Sequence, residues 1–510
     1  MLAFILKESA ESNRAKPPAQ DMKSTDPLLN AWLETLRCAK DGPAILNTHG
    51  EVLRKFSAVE ERACHFESSL RMFAPGSVIA VQIGNHEDWP SILIACLRSR
   101  LVVLPLEESI NEQQRDAALE LCKAEAVLSA VSAGALAKED VPSGNSPVIV
   151  QRRTTGATMD WTEKAPTLLK LTSGTTAAPR AIRFRSHQLL ADCTQICDTM
   201  GISNADLNFG VIPISHSYGF SNLLTPLIAR GVPMVVSRDR TPRAILADLA
   251  RSNATVFPGM PVFYQAFCEM DYVPRLPKLR LCISAGVSLP RVVAKKFREK
   301  FNLAIQTFYG ASECGGICYD RETTNEEEGF VGQPIKGVDI EMLDPSAPAS
   351  QIQVHSAAVA DGYFPEPDRE KLGDGIFVPD DLLARGDLGF KIVGRISDVI
   401  NVAGKKVNPA EVEAHLLRFT GVRQAVVFGR PAGAGLRNEE VAACVVASPD
   451  VTESDLLRFC RTALSAWQVP KRIFVVDAIP TNERGKTSRR DLAQRFSIIV
   501  ASSPLRRLGS

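Results

Sequence analysis

Between residues 40 and 390, short apolar runs alternate with longer segments whose apolar positions recur at helical spacing. Residues 78–83, 101–104, 232–236, 255–257 and 281–283 are runs of strand length with few polar positions, so they predict strands buried on both faces. Residues 89–98 and 242–252 carry helical spacing and predict helices between strands. This alternation predicts an α/β fold of parallel sheets covered by helices. The pattern changes at residues 322–394, where Gly, Pro and Asp are frequent and strand-like runs such as 352–354 are short. That stretch predicts a small all-β subdomain. Beyond Arg395, Asn408-Pro409-Ala410-Glu411 sets a capping residue, a first-turn proline and an N3 glutamate in helix-starting order, leading into Val412, Leu416 and Leu417. Strands at 425–428, 441–447 and 472–476, with a helix from 453 to about 465, complete a compact α+β unit. The Pro- and Ser-containing ends, about 1–28 and 495–510, are expected to fray.

Length and composition narrow the class. The 510 residues correspond to several domain-sized units, and 45% apolar with 23% charged residues is ordinary globular composition. Lys plus Arg number 59 against 58 Asp plus Glu, a net charge of +1, so no global field favours nucleic acid or an anionic membrane. The longest apolar runs, such as 92–97, fall far short of the ~18 residues a membrane-spanning helix needs. The apolar start at Met1 to Leu6 is interrupted by Lys7, Glu8 and Glu11 and lacks a preceding basic segment, so a cytoplasmic location is expected. Twelve cysteines are scattered, several within apolar runs (Cys96, Cys282, Cys444), and the close pairs Cys193/Cys197 and Cys314/Cys318 lack zinc-site spacing. No structural metal is expected.

The most informative segment is Leu171-Thr172-Ser173-Gly174-Thr175-Thr176-Ala177-Ala178-Pro179-Arg180, a hydroxyl-rich turn with a central glycine and a terminal cation, just after an apolar run. Such a loop can wrap phosphates with backbone N–H groups and hydroxyls. It is not a Walker loop, because the Gly-x4-Gly-Lys-Ser/Thr spacing is absent. Tyr309-Gly310-Ala311-Ser312-Glu313 follows a strand-like run at 305–308 and offers an aromatic face, a small backbone turn and a carboxylate able to hold a divalent cation. Further on come Gly394-Arg395 with Asp398, then Gly404-Lys405-Lys406, and finally Arg484-Gly485-Lys486-Thr487-Ser488-Arg489.

Taken in order, these segments resemble the adenylate-forming superfamily of acyl-CoA synthetases, adenylation domains and beetle luciferases, over about residues 40–492. The family's Thr-Ser-Gly-Thr-Thr-Gly-x-Pro-Lys-Gly loop is matched at Thr172, Ser173, Gly174, Thr175, Thr176 and Pro179, and departed from at Ala177, Arg180 and Ala181. The resemblance implies a large N-terminal AMP-binding domain, 1–394, built of two parallel α/β subdomains and a small β-barrel-like subdomain. A small mobile α+β lid, 395–510, follows. It implies ATP and Mg²⁺ as cofactors, with coenzyme A or a carrier protein's phosphopantetheine as acceptor. Tyr309 would stack on adenine, with Gly310, Ala311 and Ser312 in the same turn and Ser284, Ala285, Gly286, Val287 and Ser288 forming the opposite wall. Glu313 would hold Mg²⁺. Asp381 would accept from the ribose hydroxyls; Asp387, in Arg385-Gly386-Asp387-Leu388-Gly389, competes for that role but leaves too few residues before Arg395 for an intervening hairpin. Arg395 would contact ribose or phosphate, Ser397 occupies the hinge position, Lys486 would bridge the carboxylate and the α-phosphate, and Gly404 would let a phosphopantetheine arm pass.

Pro213 to Phe220, which includes His216, resembles the segment lining the family's carboxylate pocket. It lacks the Asp that amino-acid-activating relatives use for the substrate ammonium, so a neutral fatty or aryl acid is expected. A carrier-protein partner is compatible with this chemistry; nucleic acid and integral membrane association are not expected. Two alternatives stay open at this point: a nucleotide-binding protein without ligase activity, and a luciferase-like oxygenase.

Overall fold

The computed structural model describes residues 3–4, 24–130, 148–153, 159–161, 164–172, 180–323, 327–402, 405–431, 439–480 and 487–498. The chain divides into two compact units: residues 1–324, 332–340 and 353–378, and residues 325–331, 341–352 and 379–510. The fold is mixed α/β, with a large N-terminal domain and a smaller C-terminal one.

In the first unit, Val78–Gln82 pairs in parallel with Val102–Pro105 on one side and Ala126–Ala130 on the other. Val78, Ile79, Ala80 and Val81 are fully buried, as expected for strands covered on both faces. The sheet is parallel only at its centre. Leu168–Leu171 pairs in antiparallel fashion with Ala181–Phe184, which in turn takes Gly362–Phe364 at the edge. A second sheet runs parallel through Ile305–Ala311, Leu281–Ser284, Val256–Gly259, Asn208–Gly210 and Met234–Val236. The helix Trp89–Arg98 buries nine consecutive residues, Trp89 to Leu97, which explains its nearly continuous apolar sequence. Residues 327–394 contain strands and turns but no helix, and they are shared between the two units.

In the second unit, Val422–Pro431, Glu439–Ala447 and Arg472–Val475 form a three-stranded sheet whose period-two alternation feeds two cores. Val441, Ala443 and Val445 pack with Val412 and Leu416 of the helix Pro409–Leu416 and with Leu456 and Cys460 of Glu453–Ala463. Ala442, Cys444 and Val446 face Leu492 and Phe496 of Arg489–Ile498. Asn408 caps Pro409–Leu416 as its sequence predicts, its side chain accepting from Ala410 N at 3.1 Å. Among the described residues, no helix is long and apolar enough to cross a membrane.

Candidate active site

Thr172 and Arg180 close the base of the hydroxyl-rich loop. The Thr172 amide donates to Arg180 O at 2.8 Å, continuing the ladder between Leu168–Leu171 and Ala181–Phe184. Ser173, Gly174, Thr175 and Thr176 lie outside the described residues, as do Gly404 and Lys486.

Tyr309, Gly310 and Ala311 belong to the strand Ile305–Ala311 rather than following it, and a bulge at Tyr309/Gly310 turns the chain toward Glu313. A side chain at position 310 would press on the backbone carbonyl of Gly315 at 2.6 Å, so glycine is required for the hairpin to close. Ser284 ends the neighbouring strand beside Thr307. Ser284 Oγ and Thr307 Oγ1 are buried without a hydrogen-bond partner among the described residues. Beyond Ser284, Ala285 is buried, Gly286 takes φ +87°, and Val287 and Ser288 are exposed.

His216 precedes a short helical turn, Ser217–Gly219, and its Nδ1 accepts from Tyr218 N at 3.2 Å. The chain then widens into a π-helical turn, Phe220–Leu224. Burial pushes the Tyr218 phenol well above its ordinary value; its ring lies against Phe308 and its hydroxyl is 3.5 Å from Ile283 O. Asn85 holds the chain leading to His216, its Nδ2 donating to Gly210 O and Ile212 O while its Oδ1 accepts from Ile214 N.

A continuous line of contacts joins these segments. The Arg180 guanidinium lies 5.7 Å from the centre of the Tyr363 ring. The Tyr363 hydroxyl donates to Glu313 Oε1 at 3.1 Å, and Ser217 Oγ donates to Ser312 Oγ at 3.0 Å. Tyr363 was not singled out by sequence. It reaches Glu313 because Gly362–Phe364 pairs with Ala181–Phe184, a long-range consequence of folding that no local signal announces.

In the second unit, Asp381 and Arg395 stand opposite each other in the hairpin Asp381–Gly386/Gly389–Arg395, with Arg395 Nε donating to Asp381 Oδ1 at 2.5 Å. Asp381 is buried, whereas Asp387 is exposed at the hairpin tip. Among the described residues no group of three or more His, Cys, Asp or Glu side chains gathers to cage a metal. Mg²⁺ shared with substrate phosphates and water needs only one or two carboxylates, and Glu313 fits that requirement.

Fold and site together define an enzyme of the adenylate-forming class. Residues 36–364 match the family described as AMP-binding enzyme, and residues 411–486 match its C-terminal domain; the chain belongs to this family. The chain is 27% identical to a feruloyl-CoA synthase from Amycolatopsis sp, over 92% of this chain and 99% of that protein. It is 25% identical to an oxalate–CoA ligase from Arabidopsis thaliana, over 83% and 89% of the two chains. Among solved structures, ATP-bound MatB from Rhodopseudomonas palustris superposes with a TM-score of 0.76 at 23% identity, covering 93% of this chain and 99% of that one. The protein is an AMP-forming acid–thiol ligase.

Proposed function

We propose that the enzyme activates a neutral fatty or aryl carboxylic acid as its acyl-adenylate and transfers the acyl group to the thiol of coenzyme A, a carrier protein's phosphopantetheine being the other acceptor of the same chemistry. The observation that carries this reading is the line Arg180, Tyr363, Glu313, Ser312, Ser217, which ties the phosphate-loop base to the turn beside Tyr309 and to the His216 segment. In the first step a substrate carboxylate oxygen attacks the α-phosphorus of ATP and pyrophosphate leaves. In the second, a thiolate attacks the acyl carbonyl and AMP leaves. Neither step needs a nucleophilic side chain, so cations, N–H donors and positioning do the work.

Tyr309 stacks on the adenine in this reading, with residues 284–288 as the opposite wall. Residues 172–180 wrap the phosphates, and Arg180 keeps a cation where relatives carry lysine, with a wider fork. Glu313 would hold Mg²⁺, which supplies charge neutralisation of the phosphates when bound. Asp381 takes the ribose hydroxyls, Arg395 supports it, and Lys486 meets the negative charge that builds on the α-phosphorus. Residues 213–220 contain no carboxylate, which favours a neutral acyl or aryl group over an amino acid. The relatives' names, feruloyl-CoA synthase and oxalate–CoA ligase, support a thioester product. We read 1–394 and 395–510 as the functional domains and the cytoplasm as the site of action.

Pyrophosphate exchange into ATP, driven by a panel of aryl and fatty acids, tests this. The expected result is exchange with at least one such acid, falling about a hundred- to a thousandfold in Lys486→Ala with ATP binding preserved. ATP binding without exchange for any acid of the panel would refute the neutral fatty or aryl substrate.

A further inference from the structure

Asn85 lies in the loop that follows the strand Val78–Gln82 of the first sheet, and its side chain reaches across to the second. Only 1% of its surface is exposed. Its Nδ2 donates to Gly210 O at 2.9 Å, Ile212 O at 3.1 Å and Ser237 O at 3.2 Å, and its Oδ1 accepts from Ile214 N at 2.9 Å. Gly210 ends the strand Asn208–Gly210, and Ser237 directly follows its parallel neighbour Met234–Val236. Where those strands run out, the carboxamide stands in for a further peptide group, since buried carbonyl and N–H groups need partners. The loop that carries it is itself tied down. Trp89 Nε1 donates to Gly84 O at 2.8 Å, Asp88 N to His86 Nδ1 at 3.1 Å, and Arg238 Nε to Asn85 O at 3.2 Å. Glu87 and Asp88, both buried, pair with Arg54 at 2.7 Å and with Arg62 at 3.0 Å.

We propose that Asn85 is a positioning residue of the acid pocket, its carboxamide clasping the chain at 210–214 and so setting where His216 stands. His216 lies two residues beyond Ile214, and its own amide donates to Pro213 O at 3.0 Å, so a shift at 212–214 carries to the imidazole. An apolar side chain at position 85 would remove a partner from three buried carbonyls and one amide, and a carboxylate would face those carbonyl oxygens with no proton to give. An amide of this length supplies donor and acceptor together. Asn85 itself touches neither nucleotide nor acid in this reading. The catalytic consequence rests on residues 213–220 lining the acid pocket, but the clasp does not.

The test compares wild type with Asn85→Ala, by amide hydrogen exchange and by pyrophosphate exchange driven by the acid that serves the wild type best. In wild type the Ile214 amide is expected to be protected. In the variant, exchange should speed up in peptides over 210–216 and stay unchanged in peptides over 281–284. KM for the acid should rise about tenfold and kcat fall about tenfold, with KM for ATP little changed, a split that general loosening of the fold would not produce. If the alanine variant does not fold, Asn85→Ser, which keeps one short donor and acceptor, is read by the same measurements with smaller effects. Rapid exchange of the Ile214 amide in wild type overturns the clasp, as does unchanged protection over 210–216 in a folded variant or a loss shared equally with 281–284. An unmoved KM for the acid, or KM values for acid and ATP that rise in step, overturns its part in the acid pocket. A wild type that exchanges no pyrophosphate with any acid of the panel would refute the substrate reading, and hydrogen exchange would still decide the clasp.

Discussion

At the scale of single residues, Asp381 and Asp387 show how burial separates two similar motifs. Asp381 is buried against Arg395, while Asp387 sits exposed at the tip of the same hairpin. A carboxylate that accepts hydrogen bonds from a ribose in a sheltered place contributes on the scale of bonds to charged groups. Asp381→Ala should therefore weaken ATP binding by about 1.5–3 kcal/mol, and Asp387→Ala should leave it unchanged, as titration calorimetry can read. Equal effects of the two substitutions would refute the assignment. Tyr309 and Glu313 could be picked out from sequence because aromatic, glycine and carboxylate stand side by side. Lys170 could not. In Leu168-Leu169-Lys170-Leu171 a single lysine reads as the polar position of a strand, and only the arrival of Phe184 and Phe220 beside it shows that its ammonium is interior.

At the scale of elements, periodicity was the reliable guide wherever it ran for two turns or more. The helices Trp89–Arg98 and Pro242–Ser252 stand where the apolar spacing sets them, and Asn408 caps its helix as its neighbours foretell. Short or irregular elements were not legible. The turn Ser217–Gly219 and the wide turn Phe220–Leu224 depend on the backbone of Pro213 passing so close to Gly219 that a Cβ would collide with the Pro213 carbonyl. Gly219→Ala should thus force the 213–216 chain away from the helix, costing about 1–3 kcal/mol of stability by overpacking and displacing His216. Chemical denaturation should register the loss, and KM for the acid should rise while KM for ATP holds. A variant with unaltered stability and acid KM would mean that this close approach does not position His216. The strand Ile305–Ala311 runs three residues further than its apolar run, because pairing with Gly315–Tyr319 carries Tyr309, Gly310 and Ala311 into the sheet.

For the whole molecule, the proposed chemistry has two steps that place different demands on the smaller domain: Lys486 inward for the adenylate, then passage of a thiol arm past Gly404. Gly404→Leu should block thioester formation yet leave pyrophosphate exchange and hydroxamate trapping of the adenylate intact, because a narrow passage beside backbone tolerates no side chain. Loss of both activities together would argue against separate arrangements for the two steps, and unchanged thioester formation would make Gly404 an ordinary turn residue. The sequence by itself determined the kinds of element, their order and the presence of an adenylate-forming motif set, since hydrophobic period, capping and glycine-rich turns are properties of neighbouring residues. Tertiary structure decided which of those motifs touch. Tyr363 meets Glu313 through the pairing of Gly362–Phe364 with Ala181–Phe184, Ser217 meets Ser312 across two elements, and Asp192 reaches the Gly315 turn from a helix far away in the chain. Such contacts arise from strand pairing and burial, which gather residues by shape and hydrophobic area rather than by sequence distance, so no local pattern could have announced them.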